Sequence, residues 1–157
     1  MANRDESRDA SAEHGSDLPL VIALRVLGGT DMLAFIAVAM PTAWLQLGHR
    51  LSGLEEFPDA PIASYLARSA SALYALHGLM VVYMSFDVRR YWPLIRFLAR
   101  IAIVHGIVML GIDLAVGMPT WWTALEGPAF ALTGLIVLVA QYWGQPETLQ
   151  ETAGVET

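Results

Sequence analysis

The sequence contains no cysteine and no lysine. Without thiols there is no disulfide, no thiolate metal site and no cysteine nucleophile. Without lysine there is no P-loop lysine, no Schiff-base lysine and no polylysine tail. Charge of either sign is scarce: 15% of the 157 residues are charged, against about a quarter in an ordinary soluble domain. The nine basic residues are all arginine, and the net charge of −6 comes largely from the two ends of the chain. That balance argues against nucleic acid as a partner. Motifs of common catalytic machinery are missing as well: no nucleophile elbow, no HExxH and no glycine-rich phosphate loop.

Apolar residues fill the space the charges leave. They make up 55% of the chain, and its mean hydropathy is +0.49. Four apolar windows, 18–41, 65–84, 94–116 and 126–143, come close to the roughly 20 residues needed to cross a bilayer core. Lipid offers no hydrogen-bond partner to a bare backbone, so each window is expected to be helical. The expectation is an all-α, integral membrane four-helix bundle over 18–143. A disordered acidic tail at 1–17 precedes it, an outer loop at 42–64 interrupts it and a flexible tail at 144–157 follows. Within the outer loop, 42–51 has the pattern of a short amphipathic helix suited to an interface. Pro128, directly after Glu126 and Gly127, predicts a first-turn proline with Glu126 beside the positive helix end.

The arginines orient the chain. Arg89, Arg90, Arg96 and Arg100 crowd the turn between the second and third windows, whereas 117–127 has no basic residue. The positive-inside rule places the arginine-rich turn in the cytoplasm, and counting spans puts both termini there too. Trp44, Tyr65, Trp121 and Trp122 then fall at the outer interface, and Tyr91, Trp92, Tyr142 and Trp143 at the inner one. Arg96 and Arg100 are expected to snorkel toward anionic lipid.

Ionisable residues inside spans are costly and each needs a partner. Arg68 lies on the small-residue side of the second window with Ser64, Ala67, Ser71, Ala75 and Gly78. Ala99, Ala102, Gly106 and Asp113 form a similar stripe on the third. Arg68, Asp113 and Glu126 are therefore predicted to meet as an ion-paired cluster in the outer third of the bundle. Such a cluster serves either as a structural clamp or as a site for a small anionic or polar ligand. Arg25 and Asp31 stand in the first window, and Asp31 is expected to be a paired or neutral helix-contact residue, with Arg100 or His105 as conceivable partners and a proton relay as the alternative. His77 and His105 fall at comparable depths on adjacent windows, the arrangement that could ligate a b-type haem. Helix-to-helix hydrogen bonds are the plainer reading, with His77 opposite Arg68 and turned toward lipid or a partner subunit. No cofactor or metal is otherwise implied.

The pattern resembles the small four-span bacterial inner-membrane proteins grouped as DoxX-like. The likeness rests on Arg25 followed by Gly28 and Gly29, a longer first outer loop, an arginine-led second span from Arg68 to Gly78, and the Arg89-Arg90 turn. The stretch from Gly111 to Trp122 and the Glu126-Gly127-Pro128 segment depart from that pattern. The resemblance implies architecture and a bacterial inner-membrane location, and no functional residue is carried over. Three functions follow as expectations: a structural or accessory subunit, a small-molecule binding or transport protein, and a haem- or quinone-linked redox protein. Its partners would be the lipid bilayer and either further copies of the chain or a larger membrane complex.

Overall fold

The computed structural model describes residues 2–54 and 56–144, with side chains from Asp17 onward. Among these residues there are helices and turns but no strand. The order is α1 (Ala2–Met32), α2 (Phe35–Ala39), α3 (Thr42–Leu51), α4 (Pro61–Met84), α5 (Trp92–Val116) and α6 (Thr120–Trp143). The expected all-helical class holds. The amino-terminal tail enters as backbone of α1, and the tail expected beyond 144 lies outside the described residues.

Among the described residues, three stretches are long and apolar enough to cross a membrane: Asp17–Ala39, Trp92–Val116 and Thr120–Trp143. The second expected span, 65–84, corresponds to α4. At 24 residues it has the length, about 36 Å at 1.5 Å per residue. Arg68, His77 and the serines at 64, 69 and 71 make it less apolar than the other three.

The chain forms two compact units, one from 25 to 83, the other from the described residues up to 24 and from 84 on. In the first unit, α1 is interrupted at Leu33 and Ala34. There the hydrogen bonds shorten to three residues, Leu33 N–H to the Thr30 carbonyl and Ala34 N–H to that of Asp31. Such a tightened turn inside a helix often marks a hinge. Helix α2 resumes and stops at Met40, which adopts extended geometry (ψ 137°) because the following Pro41 disfavours helical conformation there. The loop helix predicted over 42–51 forms as α3. Trp44, Leu47 and Leu51, three and four residues apart on one side of it, are exposed.

In the second unit, α5 ends on Gly117 in the left-handed conformation (φ 78°), whose N–H donates to the Asp113 carbonyl. This is the usual chemistry of a helix stop at glycine. Pro119 then caps α6 at its start, so the helix begins at Thr120 and not near Glu126. Pro128 is inside α6, where it leaves the Ala124 carbonyl without its helical donor. Helices α5 and α6 pack through their small residues: Ala99, Gly106, Gly127 and Gly134 are buried. A Cβ on Gly127 would meet the Gly106 carbonyl at 2.7 Å. Large side chains lie outside this contact, with Phe97, Ile107 and Leu114 57–69% exposed.

Candidate functional site

Arg68 is satisfied in an unexpected way. Its Nη1 donates to the Val38 carbonyl at 2.5 Å, and its Nη2 to the Met40 carbonyl at 2.8 Å. A longer contact of 3.5 Å reaches Thr42 Oγ1. Pro41 ends α2, so the last carbonyls of that helix have no amide donor in sequence. A guanidinium fork fills that role, and a cation suits the negative helix end. The predicted partners of Arg68, Asp113 and Glu126, belong to the other unit; within its own unit, main-chain carbonyls hold this arginine.

Asp31 is the second polar group of that unit, and within the unit it has a partner on α4. His77 Nδ1 lies 2.9 Å from Asp31 Oδ2. The pair is placed by backbone contact between α1 and α4. Gly28 and Gly78 touch so closely that a Cβ on Gly28 would stand 2.7 Å from the Gly78 carbonyl, and one on Gly78 2.8 Å from Asp31 Cβ. The small-residue side of α4 does face a helix, as expected, but His77 stands beside Gly78 at that crossing. His77 thus reaches Asp31 on α1 instead of turning wholly outward, although half of its side chain is exposed. Arg25 is exposed on α1.

In the other unit Glu126 accepts from the indole N–H of Trp122, one turn before it in α6. This replaces the predicted place at the helix start. Asp113 is 3% exposed, and its Oδ2 has no hydrogen-bond partner among the described residues. His105 packs edge-on against Phe130 of α6, with ring centroids 4.8 Å apart. The described partner of His77 is therefore on α1, and that of His105 on α6.

Two further contacts carry little sequence signal. Gln141 is fully buried in α6, and its Nε2 donates to the Trp92 carbonyl at the start of α5 (3.0 Å). Arg89 Nε meets Asp17 Oδ2 at 2.5 Å. Nearby, the Arg90 N–H donates to Asp87 Oδ1, and its guanidinium lies 5.6 Å from the Tyr91 ring centre. Arg96 is half-buried and Arg100 exposed on α5. Among the described residues no group of three His, Asp or Glu side chains could hold a metal ion.

An open groove of about 370 Å³ runs between Pro19 and Ala23 of α1 and Leu132, Ile136, Val139 and Trp143 of α6. It has no charged lining and so offers shape without chemistry. Chemically, the polar groups act chiefly as helix-to-helix ties: a carbonyl clamp at Arg68, a carboxylate–imidazole bridge at Asp31 and His77, and an amide tie at Gln141. Comparison with known protein families, curated proteins and solved structures finds no match.

Proposed function

We propose that this chain is a multi-pass protein of the bacterial inner membrane that serves as a structural or accessory subunit. Four segments cross the bilayer: α1 with α2, then α4, α5 and α6, with both termini in the cytoplasm and α3 along the outer interface. This is the architecture that the DoxX-like resemblance implies. The observation that carries the membrane reading is the inverted polarity of the helices. Glycines, Asp113 and Gln141 are buried, while large apolar side chains are exposed along α5 and α6. In water such a surface would be a liability; in lipid it is the expected one. The accessory reading is supported by the use of Arg68, His77, Asp31 and Gln141 in tying helices together.

The native chain has no cysteine, so single introduced thiols report orientation without background. Asp59→Cys and Thr120→Cys are expected to react with a membrane-impermeant maleimide on intact spheroplasts. Asp87→Cys is expected to react only after the membrane is opened. Equal labelling of all three from outside overturns the topology.

One observation favours a second reading, a small polar-ligand site near the periplasmic surface: the buried, unpartnered Oδ2 of Asp113. A buried acid kept for a ligand weakens the empty protein. On that reading Asp113→Leu raises the thermal midpoint, and a lowered midpoint removes it.

A further inference from the structure

The geometry points to the Asp31–His77 pair as a proton-binding site within a membrane span, whose occupancy tightens the contact between α1 and α4. Asp31 lies inside the apolar stretch Asp17–Ala39. His77 is in α4, seven residues before its end at Met84. The two side chains do not meet by reaching across a gap. The Gly28–Gly78 backbone contact fixes the crossing, and an added Cβ at Gly78 would already touch Asp31 Cβ at 2.8 Å. Immediately beyond Asp31, α1 gives way to the tightened turn at Leu33 and Ala34. A carboxyl–imidazole pair therefore sits where the first span is interrupted, the kind of position at which spanning helices bind small cations.

The hydrogen bond sets the chemistry. With Asp31 ionised, His77 donates through Nδ1–H to Oδ2, which leaves the lone pair on Nε2. Among the described residues Nε2 has no hydrogen bond. In this state the pair carries a net charge of −1, which a low-dielectric surrounding disfavours. One proton added at Nε2 converts it to an imidazolium–carboxylate pair with no net charge. No other bond is made or broken. The two partners then attract as opposite charges across the 2.9 Å contact, which draws α1 and α4 together.

The other charged or titratable side chains on these two helices, from Arg25 on, are Arg25 on α1 and Tyr65, Arg68, Tyr74 and Tyr83 on α4. Arg68 is held by α2. Helix α3 adds His49 and Arg50, and α2 adds none. Among the described residues, the side chains of Asp31 and His77 hydrogen-bond only to each other.

The test uses the full chain in lipid nanodiscs with ¹⁵N-labelled histidine. Of the four histidines, His77 is identified by the signal that His77→Gln removes. Between pH 5 and 9 its Nε2 is expected to gain and lose one proton reversibly. Asp31→Asn is expected to move that signal, because Nδ1–H loses its carboxylate acceptor. A ring held in one state over that range, or a signal unmoved by Asp31→Asn, overturns the proposal.

Stability supplies a second readout that does not need Asp31→Asn to fold. A proton bound more tightly by the assembled pair stabilises it only while bound, so that contribution is present at low pH and lost as pH rises. The thermal midpoint of the native chain minus that of His77→Gln should shrink with rising pH. A difference independent of pH overturns the coupling between proton and helix contact.

Discussion

Alanine at two glycines of α5 should have opposite effects, although the two sites are five residues apart in one helix. At Gly106 a Cβ would lie 2.7 Å from the Ala131 nitrogen and 3.1 Å from Ala131 Cβ, with the Gly127 carbonyl oxygen closer still. Ordinary contacts begin near 3.4 Å, so α5 and α6 must part by about half an ångström or more. The closest atoms belong to backbone, and no rotamer change relieves them. Overpacking of this kind costs about 1–3 kcal/mol. Better helix propensity returns roughly 0.5–1 kcal/mol, which leaves a net loss of up to about 2.5 kcal/mol by those two figures. At Gly111 an added Cβ meets nothing within 4 Å, so only the propensity gain applies, at most about 1 kcal/mol. Unfolding with rising SDS in mixed micelles, followed by far-UV circular dichroism, measures both. Gly106→Ala should unfold earlier than the native chain, and Gly111→Ala at the same point or later. Equal shifts of the same sign would refute the claim that backbone contact at Gly106 holds the two helices.

Two further substitutions test the ties between helices. Hydrogen bonds from a charged donor contribute about 1.5–3 kcal/mol, so Arg68→Met should lose about that much of thermal stability. Arg68→Lys should fall between, because one ammonium does not reproduce the fork that serves the Val38 and Met40 carbonyls together. A lysine variant as stable as the native chain would show that charge alone matters. At the fully buried Gln141, leucine removes the bonded Nε2 and the unpartnered Oε1 together. The change should stay within about 1 kcal/mol, whereas alanine should cost about 2 kcal/mol or more through the cavity it leaves. Thermal midpoints of the two variants decide it, and a leucine variant as weak as the alanine one would refute this account.

The limits of the sequence show most clearly at Arg68. An arginine in an apolar run announces that it needs acceptors, and the two acids on other apolar windows were the visible ones. Carbonyls have no letter of their own. Pro41 was the available signal, because a proline that stops a helix leaves the preceding carbonyls open. Glu126 failed for a related reason: Pro128 resembles a helix start, yet Pro119 and the Gly117 turn had already begun α6 at Thr120. Asp31 and His77, 46 residues apart, could be named as polar positions but not paired.

Composition and periodicity determined the helical class, the three strongly apolar stretches, the loop helix α3 and the buried side of α5 marked by Ala99, Gly106 and Asp113. Those features depend on how each segment meets its surroundings, and hydropathy and residue size are written locally. Tertiary structure alone decided which small residues touch. Gly28 against Gly78 and Gly106 against Gly127 set the register of two helix contacts, and that register brings His77 to Asp31. Each segment offers several small residues at helical spacing, so many registers look equally good until both backbones are in place.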